Sequence, residues 1–180
     1  MTLNLITLAT VKTQLGITSS TYDAALTALL PVVSDDVRRI LNDRFDRYIT
    51  ATITAGTPLM TWASWCPLKL GTVVYSTGLP ADTYVQSYDP TTGVHTLSAN
   101  ATASATYIYP TVSISQWPAI AKMIWYRYTT QNTTSVDVKG VQSESYGPVS
   151  VTYTDKEINK QYNYPYTILA DLGKAKAGVA

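Results

Sequence analysis

The chain has 180 residues, with 13 Lys and Arg against 12 Asp and Glu and a formal net charge of +1 at pH 7. That length suits one domain, or one domain with a sizeable insertion, and the near-neutral balance gives no bulk attraction to nucleic acid or an anionic membrane. No apolar run approaches the roughly 20 residues that span a bilayer, no basic-then-apolar signal pattern opens the chain, and Cys66 stands alone, so no intrachain disulfide is expected.

A short first helix is predicted over 7–15, capped by Thr7, with Leu8, Val11 and Leu15 on one face and Gly16 at its end. After a Ser/Thr loop, apolar residues recur at Leu26, Leu29, Leu30, Val33, Val37, Ile40, Leu41 and Phe45. Spacings of three and four predict an amphipathic helix over 21–48. Ser20 and Asp23 read as a capping box, with Thr21 as an alternative cap. Pro31 removes a backbone donor and predicts a kink or a break into two helices. The opposite face is charged, with four aspartates and four arginines between Asp35 and Arg47. Such a face is either solvated or set against a neighbouring copy. In the second case Asp35, Arg38, Arg39, Asp43, Arg44 and Arg47 are the interface candidates.

At Thr50 the composition shifts. Between there and Ser115 only Lys69, Asp82 and Asp89 are charged, and Gly- and Pro-containing turns separate short Thr-, Val- and Tyr-rich runs. Strands are predicted over 51–54, 69–75, 84–88, 94–97 and 106–114, with a hairpin turn from Asp89 to Gly93. They make a small antiparallel module inserted between helices. Ser115 and Pro118 then open another helix, striped by Ile120, Met123, Ile124 and Tyr128. Residues 136–146 are ambiguous between loop and strand. Gly147 and Pro148 turn into an alternating strand at Val149, Val151 and Tyr153. A last short helix is predicted from Pro165 to Leu172, closed by Gly173. The chain holds 14 Tyr and one Phe, which suits either half-exposed contact surfaces or plain sheet content.

Catalytic constellations are not expected. His95, the only histidine, has no cysteine or carboxylate at metal-ligand spacing and is expected at the surface. There is no Walker A sequence and no GxGxxG. Asp82 and Asp89 are the only carboxylates of the β-rich stretch, and the turn accounts for Asp89. Trp62, Trp65 and Trp117 with the tyrosines suit a sugar-stacking platform or ordinary core and rim packing. No enzyme activity, cofactor or metal is therefore expected.

Three blocks of sequence resemble the head-tail connector (adaptor) proteins of tailed phages. The first carries Val11, Lys12 and Leu15, then Asp23, Leu26, Leu29 and Leu30. The second runs from Trp117, Pro118, Ala119 and Ile120 to Trp125, Tyr126 and Arg127. The third is Gln142 to Gly147 leading into Val149–Tyr153. Together they cover about half the chain, in the family's order. Two departures are the module at 50–115, where the family usually has a short connection, and Pro31 within the long helix.

The resemblance implies an α+β fold. A helical connector core of two to four helices (1–49 and 115–153) carries the inserted β-module (50–114) and a C-terminal arm (154–180). It implies a homo-oligomeric ring, of twelve subunits, in the neck of the virion and made in the host cytoplasm. The ring would sit beneath the portal protein, with a tail or stopper protein below and double-stranded DNA passing through its lumen. The portal contact is then expected from the arm, through Tyr162, Tyr164, Tyr166, Ile168, Leu169 and Leu172. The alternative is a carbohydrate- or receptor-binding β-module on a helical anchor, in a tail or fibre accessory protein.

Overall fold

A computed structural model describes residues 3–42, 45, 47–62, 68–132, 143–146, 149–152, 158–159 and 162–173. The chain divides into two compact units. One joins residues 1–43 to 116–180 and the other is 44–115.

The first unit is helical. Helix α1, Leu8–Leu15, starts where the Thr7 hydroxyl accepts the Thr10 amide and stops where Gly16 takes φ 68°. Helix α2, Asp23–Leu41, buries Leu26, Leu29, Leu30, Val33, Val37 and Ile40, the predicted apolar face. It runs through Pro31 as one helix. Pro31 and Thr27, whose carbonyl loses its helical donor there, are both exposed, so that acceptor is left to solvent. The capping box does not form. Tyr22 is the cap residue without a side-chain bond, and the Asp23 carboxylate instead receives the Lys12 ammonium at 2.7 Å. The helix also ends earlier than its pattern predicts. Asn42 turns left-handed at φ 53° and returns its amide to Arg38 and Arg39, and Phe45 lies beyond at φ 51°. Asparagine tolerates that conformation, so the apolar spacing that reaches Phe45 no longer lies on a helix.

Helix α3, Trp117–Asn132, packs against α1, α2 and the short helix α4, Tyr166–Asp171. Its burial extends beyond the predicted stripe: Ala119, Ile120, Ala121 and the whole run from Met123 to Tyr126 are buried. This helix, rather than α2, is the centre of the unit. Tyr22 sets its ring edge-on against Trp125 at 5.6 Å. The α3 start and α4 end are tied by the Gln116 side-chain amide, which donates to the Leu172 carbonyl at 2.9 Å.

The second unit is a six-stranded antiparallel sheet built from β1 (Ile49–Ile53), β2 (Leu59–Trp62), β3 (Thr72–Tyr75), β4 (Val85–Asp89), β5 (Val94–Leu97) and β6 (Ala105–Ser113). Its order is β3-β6-β1-β2-β5-β4. The outer strands meet again: Val73 bridges Tyr84, and the amides of Val74 and Gly71 donate to Thr83 and Val85, each at 2.8 Å. The sheet thus curls into a near-barrel, which removes exposed edges. This corrects the expectation of a small inserted module. Strand β2 has too few residues between Pro58 and the tryptophan-rich segment to stand out by alternation, and its pairing with β1 and β5 completes the curl. A separate core of Ile53, Met60, Val74, Val85, Leu97 and Ile108 fills the interior. Each fully buried side chain of this kind contributes about 1.5–3 kcal/mol, so the unit has its own source of stability. The predicted hairpin turn forms, with the Gly93 amide on the Asp89 carbonyl at 2.8 Å and the Asp89 carboxylate accepting from Thr91 and Thr92.

Two further two-stranded pairs complete the described chain. β7 (Ser143–Tyr146) pairs with β8 (Val149–Thr152), and β9 (Ile158–Asn159) pairs with β10 (Tyr164–Pro165).

Candidate functional site

Among the described residues, the helical unit concentrates its buried polar contacts around Asp36. Asp36 lies three residues after Val33 and four before Ile40, on the apolar side of α2, and its side chain is 5% exposed. A carboxylate desolvated there needs donors. Its Oδ2 accepts from the Arg127 guanidinium at 2.7 Å and from the Tyr164 hydroxyl at 2.6 Å, and its Oδ1 accepts from Arg39. Arg127 Nε also donates to the Tyr164 hydroxyl at 2.9 Å, and its guanidinium stands 5.2 Å from the centre of the Tyr164 ring. Burial pushes the Tyr164 phenol well above its ordinary range, and the Asp36 bond adds to this against the opposing pull of Arg127. Burial lowers Arg127, but the Tyr164 and Asp36 contacts outweigh it and raise the net value. The group joins α2, α3 and the C-terminal segment. Both Asp36 oxygens, the Tyr164 hydroxyl and the Nε and Nη2 atoms of Arg127 are committed to one another or to Arg39. The chemistry of the group is that of a clasp.

This changes the place of the predicted portal contacts. Tyr164, Ile168, Leu169 and Leu172 are all buried against their own unit, with only Tyr162 and Tyr166 partly exposed. The arm expectation fails for these residues because β10 and α4 supply a compact apolar face that alternation along 161–166 did not reveal. Residues 174–180 lie outside the described residues.

The interface candidates separate, and only Asp35, Arg38 and Arg39 of them lie on α2. Asp35 and Arg39 are exposed, Arg39 to 71%, and Arg47 is exposed. Arg38 is largely covered and donates both to Asp35 and to the Leu3 carbonyl. Asp43 and Arg44 lie outside the described residues. Asp36 and Arg127 were the members of the clasp that charge patterning missed. The available signal was an aspartate in register with Val33 and Ile40.

In the β-unit, His95 is 1% exposed, which corrects the surface expectation. Strand β5 turns it inward. Its Nε2 accepts the Leu68 amide at 3.2 Å, so the proton sits on Nδ1, which has no partner among the described residues. Tyr88 and Trp62 flank the ring at 4.7 and 5.9 Å. Burial lowers its pKa. Among the described residues no three His, Cys, Asp or Glu side chains converge as a metal site. Cys66 and Trp65 lie outside the described residues.

Outside the curl, four tyrosines form a row. Tyr107 and Tyr109 project from β6 two residues apart, Tyr75 is the register partner of Tyr109, and Tyr48 precedes β1. Ring centres are 5.0 Å apart for Tyr48 and Tyr107, 6.1 Å for Tyr48 and Tyr109, and 6.5 Å for Tyr75 and Tyr109. No protein-family model matches the chain, and no curated protein matches it significantly.

Proposed function

We propose that this protein is a head-tail connector of a tailed phage, a structural subunit without catalytic chemistry. Identical copies form a ring beneath the portal, twelve to the ring, in the virion neck. A tail or stopper protein binds below, and double-stranded DNA passes through the lumen. The observation that carries the reading is that the first two of the three sequence blocks resembling connectors, although a whole β-unit separates them in the chain, supply α1, α2 and α3, which pack on one another in one unit. The charge balance supports it as well, since a conduit for DNA works only if it does not hold phosphates with rows of lysine and arginine. The exposed side of α2, with Asp35 and Arg39, is the lateral contact, a heterologous pairing that closes by rotation.

The test is electron cryomicroscopy of the full chain mixed with the portal protein encoded alongside it. Rings of this subunit stacked coaxially on the portal are expected. Portal particles that stay bare at saturating subunit overturn the reading.

A further inference from the structure

We infer that the row of tyrosines outside the β-unit binds a neutral oligosaccharide. The inference does not depend on the connector reading. Tyr48 and Tyr107 are 57% and 56% exposed, far above what a sheet needs for packing. Their rings stand at 84° to one another with centres 5.0 Å apart. One ring therefore offers its plane while the other walls it, and the corner so formed can lay a sugar's C–H face on one ring with a second ring at its edge. Tyr109 and Tyr75 extend the same row. Alongside it, the exposed residues of β1 are Thr50 and Thr52, of which Thr50 is in register with Tyr107. The surface thus pairs aromatic planes with hydroxyl groups that both donate and accept.

Its charge selects the ligand. Among the described residues, β1, β3 and β6 carry no charged side chain, and Arg47, next to Tyr48, is the one cation adjoining the row in sequence. One cation is far from the several phosphate contacts that hold a nucleic acid, and a charged protein rim would find no counter-charge on these strands. A neutral sugar chain requires neither.

The experiment uses the full chain, titrated calorimetrically with maltoheptaose, cellohexaose and chitohexaose. At least one should bind with a Kd of about 1 mM or tighter. Tyr107→Ala and Tyr48→Ala should each weaken binding at least about fivefold, whereas Tyr107→Phe, which keeps the ring, should hold it within about threefold. Unchanged melting accompanies the loss. Failure of all three sugars to bind overturns the inference. So does binding that survives the double Tyr48→Ala, Tyr107→Ala variant. Variants that abolish self-association, with no sugar bound by the parent chain, assign the row to a subunit contact and overturn it too.

Discussion

Tyr164 donates its hydroxyl to the Asp36 carboxylate at 2.6 Å, although 128 positions separate the two in sequence. Arg127 touches both, so one carboxylate holds together the second helix, the third helix and the C-terminal segment.

Removing one partner from that group should cost more than the group's net contribution, because a desolvated ion is left behind. Tyr164→Phe is expected to lower the unfolding free energy by about 1–3 kcal/mol, a lost bond to a charged acceptor. Asp36→Ala leaves Arg127 without its counter-ion and should cost about 3–5 kcal/mol. Urea denaturation followed by circular dichroism measures both. A Tyr164→Phe protein as stable as the parent would remove the hydroxyl from the clasp.

The same group sets an alkaline limit. The folded Tyr164 phenol titrates above its ordinary value of 10.0, so its contribution is complete below that pH. Above it the unfolded chain releases the phenolic proton first, and stability falls as pH rises. The urea midpoint should decline above pH 10.0 in the parent and decline less in Tyr164→Phe. Parallel slopes in the two proteins would contradict this.

His95 sets the opposite limit for the β-unit. Burial depresses its folded pKa, so its contribution is complete above the ordinary value of 6.5. As pH falls through that value the unfolded chain takes up the proton first, and stability is lost. Melting followed at the tryptophans should therefore drop between about pH 7.5 and pH 5, and His95→Gln should flatten the drop at the expense of a lower plateau. A parent protein whose melting is level across that interval would refute the assignment.

Arg38 and Arg39 lie on α2 and Arg47 beyond its end, and the three differ in how far they are covered. Arg38→Glu should cost about 1–3 kcal/mol, because its guanidinium also closes the N-terminal segment at the Leu3 carbonyl. Arg39→Glu with Arg47→Glu should cost about 1–3 kcal/mol as well, since Asp36 Oδ1 loses its donor while Arg127 and Tyr164 still hold Oδ2. In the connector reading the second variant folds but forms no ring. Sedimentation in the presence of portal separates the two, and a ring formed by the double variant would place the lateral contact elsewhere.

Local rules carried a good part of the fold. The Thr7 cap, the Gly16 stop, the apolar face of α2 and the Asp89 turn depend on neighbours within a few residues, and the chain states them directly. What escaped were features decided by distant partners. The curl of the sheet rests on Val73 meeting Tyr84 and on a strand as short as β2, neither marked by alternation. The inward turn of His95 follows from its place opposite Met60, a register that composition does not reveal. The clasp was half legible. Asp36 broke the apolar side of α2 in plain view, but its partners come from the far end of the chain. Tyr164 suggested an open arm because its partners on α3, Tyr126 and Arg127, were invisible in the sequence.

Asp36 and Arg127 are 91 residues apart, and the β-unit occupies most of that interval. During synthesis α1 and α2 therefore leave the ribosome long before the helix they pack against exists. Leu26, Val33 and Val37 stay open to solvent, or to a chaperone, while the β-hairpins form from near neighbours. Loop closure between α2 and α3 grows only logarithmically with the length of free chain, and a β-unit already folded shortens that length. Refolding of the helices is then expected to lag that of the sheet and to slow further when the sheet is weakened. Stopped-flow fluorescence with a Met60→Ala variant follows both phases, and a helical phase indifferent to that substitution would uncouple them.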